Sequence, residues 1–148
     1  MSRTSVMEGD EIQVDVKYCG HLAAGGNGTG TPLYLVVVYN CHSRCVLAAK
    51  FFDHVDDCAA CETIMETRSH DGFSRIHVDG SWIFATCWFQ HQMSLMGISV
   101  DHRRGSLGLE RFMRAKVDPI LHRIWEQNPS SVDEAGRIWN AVAKGVCA

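Results

Sequence analysis

The chain has 148 residues, 46% of them apolar, and a formal net charge of −3. That length suffices for one domain with a core that needs neither disulfides nor metal, and a slight acidity without a basic block offers no electrostatic footprint for nucleic acid or an anionic membrane. Met1–Glu11 lacks a signal-peptide core and no run approaches the roughly 20 apolar residues that span a bilayer, so a cytoplasmic location is expected.

Residues 1–10 read as a loose tail. Ile12, Val14, Val16 and Tyr18 then alternate with Gln13, Asp15 and Lys17 in the two-residue period of a half-buried strand, as on a sheet edge. Gly20–Thr31 is a glycine-rich loop. A strand follows it rather than a helix, and no Lys-Ser/Thr pair closes it, which argues against a phosphate-binding loop. Leu33–Tyr39, apolar throughout, predicts a central strand, and Cys45–Phe52 its hairpin partner across the turn Asn40–Arg44. Asp53, Asp56 and Asp57 gather where a helix would start, and Val55, Cys58, Cys61, Ile64 and Met65 give that helix its apolar face before Asp71-Gly72 ends it.

Phe73–Val78 predicts a short strand and Asp79-Gly80 a hairpin turn. Ser81–Phe89 and Met93–Val100 then read as two strands joined by Gln90–Gln92, apolar on both faces, so helices should cover both sides of the sheet. Beyond the charged linker Asp101–Gly105, Leu109, Phe112, Met113, Val117, Ile120, Leu121, Ile124 and Trp125 fall on one face of a long helix, with Glu110, Arg111, Arg114, Arg123 and Glu126 assigned to the other. Pro119 predicts a kink, or a break with Asp118 as a new cap. Asn128-Pro129 stops the helix, and Ser131-x-x-Glu134 is a capping box for a last one. The expected fold class is α+β: an antiparallel-rich five-stranded sheet, with an extra N-terminal strand, and helices on both faces. Residues 1–31 make a tail with that strand and the glycine loop, and residues 32–148 a single domain.

This order of elements, and above all the run Trp82–Trp125 with Met93-Ser94-Leu95-Met96-Gly97-Ile98-Ser99-Val100-Asp101 leading into the long helix, resembles the longin fold. That fold is shared by longin-type SNARE N-terminal domains, small clathrin-adaptor subunits and TRAPP tethering subunits. The resemblance implies a non-enzymatic interaction module, a subunit of a vesicle-trafficking, tethering or adaptor complex. Its partners would be other protein subunits, alike or different, with membranes reached only through them and no nucleic acid bound. By position it implies partner contacts at Asp57, Glu62, Met65 and Ile76 in one groove and at Arg44 on another edge.

Two other readings compete. One is a small-ligand sensor of the profilin, PAS or GAF type. The other is a zinc or thiol protein using Cys41, Cys45, Cys58 and Cys61, two pairs that could supply a tetrahedral site. The hairpin between the pairs separates them by roughly 25 Å at about 3.3 Å per strand residue, which sets the zinc reading against the fold. Seven cysteines without a secretory signal are expected as reduced thiols rather than a disulfide framework. No zinc or other cofactor is expected on the leading reading, and no catalytic motif stands out.

Overall fold

The computed structural model describes residues 6–7, 9–22, 30–70, 72–78, 80–102, 111 and 113–143. Strand β1 is Ile12–His21, β2 Pro32–Asn40 and β3 Cys45–Phe52. Helix α1 (Asp57–His70) leads to β4 (Arg75–Val78), a 3-10 turn (Trp82–Phe84), α2 (Cys87–Leu95) and β5 (Ser99–His102). A π-helical turn (Met113–Val117) runs into α3 (Asp118–Glu126), and α4 (Val132–Val142) follows. The sheet order is β3-β2-β1-β4-β5, with β1–β2 and β2–β3 antiparallel and β1–β4 and β4–β5 parallel. The expected α+β class with five strands and helices on both faces is what forms, as a mixed sheet.

Several expectations need correction. The strand at residues 12–18 is not an extra edge strand: β1 lies at the centre, between β2 and β4, with Ile12, Gln13 and Val14 all buried. Ser81–Phe89 is not a strand. The Thr86 side chain accepts a hydrogen bond from the Phe89 N–H and starts a helix, which buries Phe89 and Met93, four residues apart, against the core. A short aromatic-rich run does not distinguish strand from helix by periodicity alone, and the capping threonine settles it. Consequently Gln90–Gln92 lies inside α2, and the next strand covers only Ser99–His102. Asp79, Arg103–Gly105, Leu109, Glu110 and Phe112 lie outside the described residues, as do residues 1–5, 8, 23–29 and 71.

The alternation along the strands divides the core in two. Ile12, Val14, Val36, Val38, Ile76 and Val78 face Ala60, Cys61, Ile64, Phe84, Phe89 and Met93 on the α1/α2 side. Leu33, Leu35, Val37 and Phe51 face Val117, Leu121, Ile124 and Trp139 on the α3/α4 side. Pro119 falls in the first turn of α3, where its missing N–H costs little, and the π-turn before it absorbs the break. Asn128, at φ 51°, closes α3. Met7, Gly9 and Asp10 are not a loose tail: the Asp10 carboxylate accepts from Met7 N–H at 2.8 Å and from Asn40 Nδ2 at 3.0 Å, which fastens this turn to the end of β2.

Candidate functional site

Because Ile12, Val14, Ile76 and Val78 belong to the α1/α2 core, the residues between and after them, Gln13, Asp15 and Lys17 on β1 and His77 on β4, face the opposite side of the sheet. Gln13, His77 and Asp101 are in register across β1, β4 and β5. Among the described residues, the apolar cluster on that side contains nothing from β4 or β5. The sheet face over β1, β4 and β5 is therefore polar where the face over β2 and β3 is apolar.

His77 is nearly buried, with its side chain 9% exposed, and stands between two carboxylates. Its Nδ1 is 3.2 Å from Asp101 Oδ2 and its Nε2 3.5 Å from Glu11 Oε1. An open cleft of about 690 Å³ reaches this cluster, lined by Met7, Asp10, Glu11, Arg68, Phe73 and His77 among others. Farther along β1, Asp15 is half-buried and Lys17 Nζ meets Asp118 Oδ1 at 2.8 Å. A Cβ on Gly20 would come within 3.3 Å of the Trp125 ring. Three strand residues at about 3.3 Å each and seven helical residues at about 1.5 Å each both cover roughly 10 Å, so α3 runs beside β1 in the same direction. Its N-terminal side points back toward Asp15.

The residues singled out by sequence are dispersed. Arg44 is exposed in the β2–β3 turn at φ 58°. Asp57 accepts a 2.7 Å hydrogen bond from the Thr86 hydroxyl, and Glu62 pairs with Lys50 at 3.2 Å. Met65 is 50% exposed, whereas Ile76 is wholly buried in the core and offers a partner nothing. The four cysteines are not brought together: among the described residues the group able to hold a metal with three ligands is Asp56, Asp57 and Cys58. Cys45 is disulfide-bonded, which removes it from a thiolate set, while Cys41, Cys58 and Cys61 are free thiols. Burial, with Glu11 nearby, pushes the Cys41 thiol up to about 12, and desolvation with Asp56 and Asp57 raises that of Cys58. Neither group favours the thiolate that zinc or redox chemistry needs.

No protein-family profile matches the chain, and no curated protein matches it. Among solved structures it is similar to a chain in the cryo-EM structure of the simian T-cell lymphotropic virus intasome in complex with PP2A regulatory subunit B56 gamma. The TM-score is 0.64 at 19% identity, over 95% of this chain and 50% of that one. The chain thus spans half the length of that neighbour, and at this identity the likeness is one of fold. No helix among the described residues is long and apolar enough to cross a membrane.

Proposed function

We propose that this chain is a divalent-cation-dependent phosphoryl-transfer domain acting on a phosphodiester, with Asp15, Asp79 and Glu110 as its metal-holding carboxylates. The observation that carries the reading is the registered pair Val14–Val78 on the parallel strands β1 and β4. In sequence, the residue after each member of that pair is an aspartate, Asp15 and Asp79. Asp15 lies on β1, which has an antiparallel neighbour, β2, on one side and a parallel one, β4, on the other, and in sequence Asp79 is the residue after β4. Open sheets commonly bind ligands at such a switch in strand arrangement.

Glu110 is the third candidate by sequence position. It precedes Arg111 in sequence and comes three, seven and eleven residues before the buried Met113, Val117 and Leu121. In a regular α-helix that spacing would group it with the apolar positions.

The donor set fits magnesium or manganese: hard oxygen ligands from carboxylates, without thiolate. When bound, such ions would act as Lewis acids on a phosphoryl oxygen and activate the attacking hydroxyl or water. The protein's contribution would be to bring the carboxylates of Asp15, Asp79 and Glu110 close enough to share such ions. The fold likeness to a chain of a viral intasome complex is what suggests a nucleic-acid phosphodiester as the substrate class. The test is cleavage of a labelled DNA duplex in Mn²⁺. The wild-type chain should nick it, and Asp15→Asn and Asp79→Asn should lose activity by at least about 100-fold; equal activity in both variants would refute the assignment.

A second reading is the protein-interaction subunit of the trafficking kind implied by the longin resemblance. It draws on the exposed apolar side chains Met65, Trp82, Trp88 and Leu95 on the α1/α2 side. Pull-down from cells with wild-type and Trp88→Ser, Leu95→Ser chains tests it, and partners lost only from the variant would support it.

A further inference from the structure

Strand β1 departs from regular geometry between Tyr18 and Gly20, and the departure assembles a cluster of rings. Tyr18 pairs with Tyr34 on β2, Gly20 with Leu33 and His21 with Pro32, so Cys19 is an extra residue that β2 does not match. In an unbroken strand residues 18 and 21 would face opposite sides of the sheet. The bulge shifts the alternation by one, and Gly20 carries the chain through it at φ 107°, where a side chain is poorly tolerated. His21 thereby arrives on the same face as Tyr18, and the Tyr18 hydroxyl and His21 Nδ1 share a hydrogen bond of 2.6 Å. Their rings meet edge to face with centroids 5.7 Å apart, and the ring of Tyr34, across the strand pair, lies 5.5 Å from that of Tyr18.

Tyr18 is 52% exposed and His21 is exposed beside it. A ring fixed by a hydrogen bond and by two neighbouring rings, with half of its surface open, loses little conformational freedom when a planar group lies against it. We propose that Tyr18, held in place by His21 and Tyr34, stacks an unpaired nucleobase of the substrate. This rests on the nucleic-acid reading above. Every base has a π-face, so the contact tolerates any sequence, and a base inside a duplex is closed to it, so strands with unpaired bases are preferred. The cluster lies three residues beyond Asp15 on β1, roughly 10 Å at about 3.3 Å per residue, and on the strand's other face. It therefore holds a part of the substrate other than the phosphodiester at the carboxylates.

The experiment is fluorescence anisotropy of labelled oligothymidine with the full chain in EDTA, where no metal contributes. The comparison probes are an abasic strand of equal length and a blunt duplex. Wild type should bind oligothymidine more tightly than either. Tyr18→Leu should weaken that binding about 5–150-fold, the range for losing one base–aromatic stack, and bring it down to the abasic strand's level. Tyr18→Phe keeps the ring and should keep most of the affinity, and His21→Ala, which frees the ring, should fall between the two. If Tyr18→Leu binds oligothymidine like wild type, or wild type binds the abasic strand equally well, the platform is wrong while a nucleic-acid substrate stands. If wild type binds none of the three probes, this inference falls, and nicking in Mn²⁺ by wild type against Asp15→Asn decides the metal reading separately. Should Tyr18→Leu not fold, photocrosslinking of wild type to an iodouracil-substituted strand decides: an adduct on Tyr18 supports the platform, and adducts only elsewhere overturn it.

Discussion

Lys17 Nζ lies 2.8 Å from Asp118 Oδ1, and this contact joins the middle of the central strand to the first turn of α3. Both side chains are about one-third or more exposed, 33% and 43%, so screening keeps the pair's energy small. Its value is geometric, because it marks where the helix lies along β1. Lys17→Met should cost no more than about 1 kcal/mol in urea unfolding, with the loss shrinking as salt rises. A loss several times larger would mean that the pair carries the packing of α3 rather than marking it.

Gly20 marks the other end of the same contact. Its φ of 107° is one that side-chain-bearing residues rarely adopt, and an added Cβ would press on the Trp125 ring at 3.3 Å. Gly20→Ala should destabilise the fold by roughly 1–3 kcal/mol, and Gly20→Val by more. Combining Gly20→Ala with Trp125→Leu should cost less than the sum of the two, since the smaller side chain removes the contact. Chemical denaturation of the four proteins checks this cycle.

Thr86 serves two elements at once, accepting from Phe89 N–H at 3.1 Å and donating to Asp57 at 2.7 Å. Thr86→Ala should cost about 1–2 kcal/mol, the upper part of the range for an N-cap, because it also releases Asp57. Thr86→Ser should recover most of that loss. Equal unfolding midpoints for Thr86→Ala and wild type would show that the cap is not formed.

Ionisation should weaken the fold at both ends of the pH scale. Hydrogen bonds from the Ser130 N–H and hydroxyl lower the Glu134 carboxyl below its usual value. A lowered folded-state pKa gives stability that is present above the unfolded pKa and lost as pH falls through the folded one. Glu134→Gln should therefore flatten the acid limb of the stability profile. Burial raises the Cys19 thiol from 9.0 to about 12. Here the sign reverses: stability is full below pH 9 and declines as unfolded thiolate forms between 9 and 12, a decline that Cys19→Ala should reduce. Thermal midpoints across both ranges measure the two effects.

Much of this architecture is written in local pattern. The bounds of β3 follow from its apolar run, α1 starts at the acidic cluster as expected, and Ser131 caps α4 by accepting from Glu134 N–H. The reciprocal half of that capping box shifts by one residue, since the Glu134 carboxylate reaches Ser130 instead. Residues 81–95 were illegible because Trp82, Ile83, Phe84, Trp88 and Phe89 satisfy either period. The long-range bond from Thr86 to Asp57 and the packing of Phe89 and Met93 beside Ala60 and Ile64 tie the segment to α1 as a helix.

The position of β1 was hidden for a different reason. Alternation with Asp15 and Lys17 looks like a wet edge, yet those polar residues are half-buried at the sheet centre, where Lys17 meets Asp118. A charged residue on a central strand is what the proposed metal reading rests on, and an edge reading discards it.

The most direct test of the metal reading is anomalous diffraction from crystals of the full chain soaked in Mn²⁺. The account predicts a manganese peak within about 2.5 Å of an Asp15 carboxylate oxygen, with Asp79 as a second ligand. Manganese bound instead at Asp56 and Asp57, with none beside Asp15, would contradict it.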